Sequence, residues 1–365
     1  MNMYIESLVL KNFRNYEDEK FEFSEGINVI TGMNAQGKTN CAEAVFYLCT
    51  GYSPRATRDK QVIRYGQDKA YISGNARTQY GAVNVELTFY PDKKNIRING
   101  VETLKMGELL GNINSVFFNP EELKLIKESP EDRRRFLDIS LSQMNKKYFY
   151  ALQKYKKILS QRNSLLKDEN KDLIRETLPI WDAQLVKYAA VIIKERNEFL
   201  KLLSPFALEA HRFITGGKEE LQVTAGYRYE GSEENISAQL LSDLSDSAEK
   251  SIILGYTTVG PHRDDLKIKI NGEEVKTYGS QGQQRTAALS MKLAELEVFK
   301  TRFNEYPTLL LDDALSELDF SRRERVLERA EGLQTIITCT EADDAFSGKE
   351  ARRFSVRGGK IENRE

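Results

Sequence analysis

Two glycines bracket a short loop that closes on a lysine and a hydroxyl in Gly32-Met33-Asn34-Ala35-Gln36-Gly37-Lys38-Thr39. Glycines let the backbone curl until several N–H groups face one anion. A lysine supplies a point charge for the outer phosphates, and a threonine hydroxyl is a ligand for a hard cation such as Mg2+. The expected occupants are ATP and Mg2+. An apolar β-like run, Ile27-Asn28-Val29-Ile30, precedes the loop, and a helical pattern through Ala42, Val45, Phe46 and Leu48 follows it. Strand, glycine loop and helix together make a phosphate site, because the helix start adds unpaired N–H groups and the positive end of its dipole. The bland alternative is a glycine loop that only turns the chain. The flanks favour the nucleotide site.

A second chemical pair stands far downstream. Thr308-Leu309-Leu310-Leu311 is an apolar run that ends in Asp312 and Asp313. A carboxylate at the end of a buried strand is where a P-loop enzyme holds Mg2+, directly or through water, so Asp312 and Thr39 are the expected metal ligands. Asp313 is placed to orient or activate an attacking water. A turn made by two aspartates is the plain alternative, and pairing with the glycine loop decides against it. Lys38, Asp312 and Asp313 are thus the candidate catalytic residues. Arg14 lies close in sequence to the first strand of this site, and contact with a bound phosphate or a solvated loop position are both open to it.

Ser280-Gln281-Gly282-Gln283, within Tyr278–Thr286, again places small residues before a helix. Free N–H groups and a serine hydroxyl make it a second anion-binding end. One chain cannot easily bring both loops to one γ-phosphate. Two chains can, if each lends its Ser280 loop to the nucleotide held by the other's Lys38. The expectation is an ATP-dependent, two-fold homodimer with two nucleotides in its interface.

These residues need a sheet to carry them. Strand patterns run over residues 4–10, 21–31, 71–73, 83–90, 95–101 and 115–118, with Lys11–Tyr16 as a turn and Asn99-Gly100 as a hairpin signal. From Asp132 to about Lys167 there is no glycine or proline, and Leu141, Tyr148, Leu152, Tyr155, Leu159 and Leu166 recur at helical spacing. Trp181, Leu185, Tyr188, Ile192 and Phe199 repeat it after a charged break ending at Pro179, and Pro205 and Gly216-Gly217 punctuate the end. An antiparallel helical arm and two helices in a compact lobe fit equally well. Its first helix is basic, with Arg133-Arg134-Arg135, Lys146-Lys147, Lys154, Lys156-Lys157 and Arg162 interleaved with Tyr148, Tyr150 and Tyr155. Such a face could follow a phosphate backbone, although solvation alone also explains it. Afterwards the pattern returns to strands at 221–229, 266–270, 308–311 and 336–338, around a helix from about Gln283 to Phe303.

Composition narrows the class. The 365 residues carry 54 Lys and Arg against 55 Asp and Glu, so net charge announces no polyanionic partner. No apolar run approaches the roughly 18 residues that span a bilayer, and the N-terminus lacks a signal-like layout. A soluble, cytoplasmic, nucleoid-associated protein is expected. Three cysteines without metal spacing and only two histidines make a Cys/His zinc site unexpected.

The glycine loop, Ser280–Gln283, Asp312-Asp313 and Ser316-Glu317-Leu318-Asp319 resemble the ABC-type ATPase heads of transporters, SMC proteins and Rad50. More closely, the chain is similar to the RecF family of bacterial recombination mediators. The likeness runs through Leu10–Tyr16, Phe118–Leu123, Arg134–Asp138, Gln161-Arg162-Asn163 and Gly260-Pro261-His262-Arg263-Asp264-Asp265. It implies an α/β fold: an ABC-type head with a mixed sheet over residues 1–120 and 221–365, and an inserted helical domain over 121–220. It also implies an ATP-driven clamp on duplex DNA near single-strand gaps. Such a clamp hydrolyses ATP slowly under DNA stimulation, works with RecR and RecO to load recombinase, and supports the SOS response.

Three departures from the wider ABC pattern favour a slow switch. Gln281 stands where a glycine is usual, Asp313 where most heads place glutamate, and Thr340 where a histidine is usual. His262 is too distant in sequence to be assumed a substitute, and Pro120-Glu121 stands where a Q-loop glutamine belongs. Turnover below about 1 s⁻¹, the low end for enzymes, is expected. The competing readings are the ATP-binding subunit of an ABC transporter and a Rad50- or SMC-like tether. The basic helical insertion argues against the first, and its shortness against the second.

Overall fold

The structure is a computed structural model, and it describes residues 2–227, 229–316, 318–340 and 350–364. Its first sheet is antiparallel. Strands β1 (Tyr4–Phe13), β2 (Tyr16–Glu22), β4 (Ala70–Thr78), β5 (Gly81–Phe89), β6 (Lys94–Ile98) and β7 (Val101–Thr103) lie in the order β2-β1-β4-β5-β6-β7. The expected turn over residues 11–16 is tighter than its polarity suggested. β1 pairs with β2 out to Phe13 and Tyr16, leaving only Arg14 and Asn15 to turn. Asn99 and Gly100, both at positive φ, close the β6–β7 hairpin as their types require.

The second sheet carries the chemistry. β3 (Ile27–Thr31), β8 (Ser115–Phe118), β12 (Thr308–Asp312), β13 (Thr335–Cys339), β14 (Ala351–Arg357) and β15 (Lys360–Arg364) lie in the order β15-β14-β3-β13-β12-β8. All neighbours except β14–β15 are parallel. Helix α1 (Lys38–Thr50) is buried along nearly its whole length between the two sheets. Alternation along the strands assigns the faces. Ile30, Leu310 and Ile336 pack with α1 and the antiparallel sheet, whereas Val29, Leu309, Leu311 and Ile337 face a helical layer on the other side. Continuous apolar runs are what a sheet covered on both faces demands.

That helical layer contains α2 (Pro130–Met144), α3 (Lys146–Leu165), α4 (Lys171–Thr215), α5 (Glu233–Asp246), α6 (Ala248–Leu254) and α7 (Gln281–Phe303). The glycine-free stretch after Asp132 is two helices, because Asn145 leaves helical geometry and its side chain accepts the N–H groups of Lys147 and Tyr148. The second break also falls elsewhere than expected. It lies at residues 166–170, and α4 runs unbroken through Pro179 and Pro205 to Gly216. Both prolines are exposed, as are Arg175 and Lys201, whose carbonyls lose their partners. Water can satisfy them there, so the helix continues.

Of the two arrangements open for the insertion, the compact lobe is found. Leu141, Tyr148, Leu152, Tyr155, Leu185 and Ile192 join the main core, and only Leu166, Ile174, Leu178 and Ile252 form a separate cluster at the far end. The strands expected to rejoin the main sheet at 221–229 and 266–270 do not. β9 (Leu221–Ala225), β10 (Leu266–Ile270) and β11 (Glu273–Glu274) form their own antiparallel sheet, and the apolar residues of β9 and β10 share the helical layer's core.

Candidate nucleotide site

β3 delivers the chain to Gly32, whose φ of 152° and neighbouring Val356 carbonyl leave no room for a side chain: a Cβ there would stand 2.3 Å from that oxygen. Gly37, at φ 126°, turns the chain into α1 beneath Asn15 and Tyr16. Two hairpins brace the loop from outside. Asn15 donates to the Gln36 carbonyl (2.8 Å) and Tyr16 to the Gly37 carbonyl (3.0 Å). Gly359 N–H also donates to the Gln36 carbonyl (2.9 Å), and Gly358 N–H to the Gln36 side chain (2.6 Å). Met33, Asn34 and Ala35 are left exposed at the rim. Lys38, 6 % exposed, folds back so that Nζ donates to the carbonyls of Gly32 (2.6 Å) and Met33 (2.9 Å).

β12 ends beside the start of α1. Thr39 Oγ1 donates to Asp312 Oδ1 at 2.9 Å, joining residues 273 positions apart. Thr338, one strand over on β13, donates to the same oxygen at 2.5 Å. Burial pushes the Asp312 carboxyl above its usual range, against the two threonine hydroxyls and the charge of Arg55, which pull it down. Asp313 sits at φ 51°, a left-handed conformation that costs a non-glycine residue roughly 1–2 kcal/mol. Its N–H is held by the Thr338 carbonyl and hydroxyl (3.1 and 3.2 Å), and its buried Oδ1 has no hydrogen-bond partner. A strained backbone that presents an open acceptor is suited to orienting a water.

The donor set fits Mg2+. Among the described residues no group of three or more His, Cys, Asp or Glu could cage a metal. A cation here would have Thr39 and Asp312 from the protein and would take the rest of its shell from phosphate oxygens and water, which is how Mg2+ prefers to bind.

Arg14 is tied to the helix that follows the loop. Its guanidinium donates to both oxygens of Glu43 on α1 (3.0 and 2.7 Å) and to the Gln61 carbonyl (2.8 Å). Glu43 also receives Arg55 and Ser53. Burial pushes its carboxyl up, yet the two arginines and Ser53 outweigh that and hold it below its usual range.

Ser280 begins α7 in a reciprocal cap. Its hydroxyl accepts from Gln283 N–H (3.2 Å), and the Gln283 side chain accepts from Ser280 N–H (2.9 Å). Gln281, exposed, and Gly282, partly buried, form the first turn. Among the described residues no hydrogen bond joins residues 280–283 to residues 32–39, so within one chain the two loops are not tied to each other. Leu318 and Asp319 lie between Asp313 and helix α8 (Phe320–Arg329), which Asp319 caps, while Glu317 falls outside the described residues.

The basic helix proves less free than its sequence suggested. Arg133 is paired with Asp265, Arg162 with Asp182, Lys147 with Glu233 and Lys156 with Asp138, while Tyr148 and Tyr155 are buried. The motifs shared with recombination mediators converge instead on buried Arg196. It donates to Asp138 (2.9 Å), Asp264 (3.2 Å), the Pro261 carbonyl (2.8 Å) and the Tyr148 hydroxyl (3.2 Å). Tyr155 hydrogen-bonds His262 Nδ1 at 2.5 Å, and the other ring nitrogen meets the Thr257 carbonyl at 3.1 Å. Sequence reasoning missed Thr338 and the Gly358-Gly359 brace. Thr338 sat in a strand with no chemical signature, and Asn15-Tyr16 entered only as part of a turn and of a longer resembling stretch.

Residues 4–357 match the RecF/RecN/SMC N terminal domain. Proteins named DNA replication and repair protein RecF from Clostridium kluyveri and Clostridium acetobutylicum are each 44% identical, covering 98% of this chain and 99% of theirs. A solved structure of the recombination mediator protein RecF with ATP superposes with a TM-score of 0.90 at 36% identity, over 100% of this chain and 98% of that one. The Smc head domain from Pyrococcus furiosus shares the fold, with a TM-score of 0.57 at 20% identity over 98% and 95% of the two chains. With the fold of an ABC-type ATPase head, this chain belongs to the RecF family of DNA replication and repair proteins.

Proposed function

We propose that this chain is an ATP-driven DNA-binding switch of recombinational repair, in which two copies close face to face around two nucleotides. The observation that carries the reading is that the Ser280 loop makes no hydrogen bond to the Lys38 loop within one chain. Lys38, Thr39, Asp312 and Asp313 meet at one mouth of the central sheet, whereas the Ser280 loop is fastened at the head of α7 with Ser280 and Gln281 exposed. A second copy, turned by two-fold symmetry, can supply that loop to the first copy's triphosphate.

In this reading the start of α1 and Lys38 hold the phosphates, and Thr39 with Asp312 holds the cation. Bound Mg2+ would neutralise charge on the phosphate oxygens. Asp313 positions the attacking water through its open Oδ1, and Thr338 keeps both aspartates in register. Asp313 is one methylene shorter than a glutamate would be, which sets it back from the water and favours slow hydrolysis. Duplex DNA near gaps is the proposed ligand of the closed pair, with RecR and RecO as partners, as the pathway named for the ATP-bound relative supports. Among the described residues no helix is long and apolar enough to cross a membrane.

Sedimentation velocity with ATP, with ADP and without nucleotide, each with and without gapped duplex, tests this. The expected result is a dimer with ATP alone, strengthened by DNA and abolished by Ser280→Arg. Unchanged pairing and turnover in Ser280→Arg would overturn it.

A further inference from the structure

The geometry points to Glu219 as the positioning residue that aims the Ser280 loop, with His211 holding Glu219 in place. This deepens the two-copy reading above and rests on it. The brace begins at Gln283. Its side-chain oxygen takes the Ser280 N–H, and its amide nitrogen donates to Glu219 Oε1 at 3.0 Å. A carboxylate only accepts, so Glu219 fixes which end of the amide faces Ser280 and prevents it from turning over. The second carboxylate oxygen, Oε2, meets His211 Nε2 at 3.2 Å.

His211 lies in the last turns of α4 and is fully buried. Because Glu219 can only accept, Nε2 carries the ring proton. Nδ1 lies 3.1 Å from Ser290 Oγ on α7, whose hydroxyl donates to the Thr286 carbonyl at 2.7 Å. Burial and the nearby charge of Arg322 lower the histidine's pKa against the pull of Glu219 and the Thr286 carbonyl. Arg322 of α8 also closes the other flank, since a Cβ added at Gly282 would stand 3.3 Å from its Nη1. The loop is therefore gripped between the end of α4 and the start of α8.

An ordinary helix cap beside a satisfied core histidine would also place these atoms in contact. What singles out this arrangement is where it ends. Ser280 Oγ spends an acceptor site on Gln283 N–H and keeps its own proton, which is free to go to an outside oxygen such as a phosphate on a second copy. Every bond of the brace acts on the direction of that O–H. Removing Glu219 frees the amide and loosens the cap, and two-fold symmetry applies the loss at both pockets.

The test measures two equilibria on the full chain. A fluorescent ATP analogue at dilute protein reports nucleotide binding by the single chain, and sedimentation with ATP reports pairing. Glu219→Ala is expected to bind the analogue within about twofold of the unaltered chain while pairing at least about tenfold more weakly. Glu219→Gln, which retains an oxygen for the Gln283 amide, is expected to recover most of the pairing. Glu219→Ala/Gln283→Ala should be no worse than Gln283→Ala alone, because the first residue acts through the second. Equal pairing in Glu219→Ala, a parallel loss of analogue binding, or additive losses in the double variant would each overturn the assignment. If the unaltered chain fails to pair with ATP, the two-copy reading fails instead.

Discussion

Lys38 and Arg196 are both buried cations, and their surroundings could hardly differ more. Arg196 is hydrogen-bonded to two carboxylates, a carbonyl and a phenol, so its charge is spent inside the fold. Lys38 touches two backbone carbonyls, and among the described residues it makes no ion pair. A buried charge with its own counter-ions holds elements together, whereas one without them is left to meet a charge from outside. The acids divide the same way. Asp138 and Asp264 are paired, while Asp313 keeps an unpartnered oxygen.

Exchanging these groups should break the contrast in opposite directions. Lys38→Ala is expected to lower turnover by about 10³-fold or more through lost phosphate contact, with unfolding free energy in urea unchanged to within about 1 kcal/mol. A large loss of stability would mean that Lys38 is a structural cation after all. Asp313→Asn should cut turnover by about 10²–10³-fold while still forming the ATP-dependent dimer on DNA; a protein that stayed monomeric would remove the shared pocket. Arg196→Met is expected to cost about 3–5 kcal/mol in urea titrations, because Asp138 and Asp264 lose their buried partner.

The smallest effect concerns pH. Burial first, with help from nearby arginines, pushes His262 down to about 4. Its unfolded value is near 6.5, so between those limits the unfolded chain binds the extra proton and stability falls as the medium is acidified. Asp264 works the other way. Burial raises it to about 6, and protonation then favours the fold between about 6 and its unfolded value. Comparing the parent with His262→Gln isolates the histidine. The variant should lose roughly 1–2 kcal/mol less than the parent between pH 6.5 and 4.5, and parallel profiles would show that the ring does not titrate with unfolding.

The chemistry near Lys38 was legible because it is local: a strand, two glycines and a helix start announce themselves within about a dozen residues. Asp312 was legible for the same reason, as the end of an apolar strand. Partners distant in sequence were not. Arg196 lies 58 residues from Asp138 and 68 from Asp264, and nothing in their spacing couples them. The interleaved tyrosines misled, since Tyr148 and Tyr155 suit a buried stripe as well as a stacking face. The break at Asn145 was hidden because a side-chain cap needs neither glycine nor proline. Strand periodicity located β9 and β10 without saying which sheet they join.

The continuity of α4 has a mechanical consequence. Arg196 ties it to α2, α3 and the loop at residues 261–264, and buried residues from Leu185 to Ile214 set it into the main core on both sides of that arginine. Roughly 26 residues lie toward Asn170 and 15 toward His211; at about 1.5 Å each, they span roughly 39 and 22 Å. One unbroken rod thus connects the small cluster around Leu178 with the turn that holds His211 against Glu219.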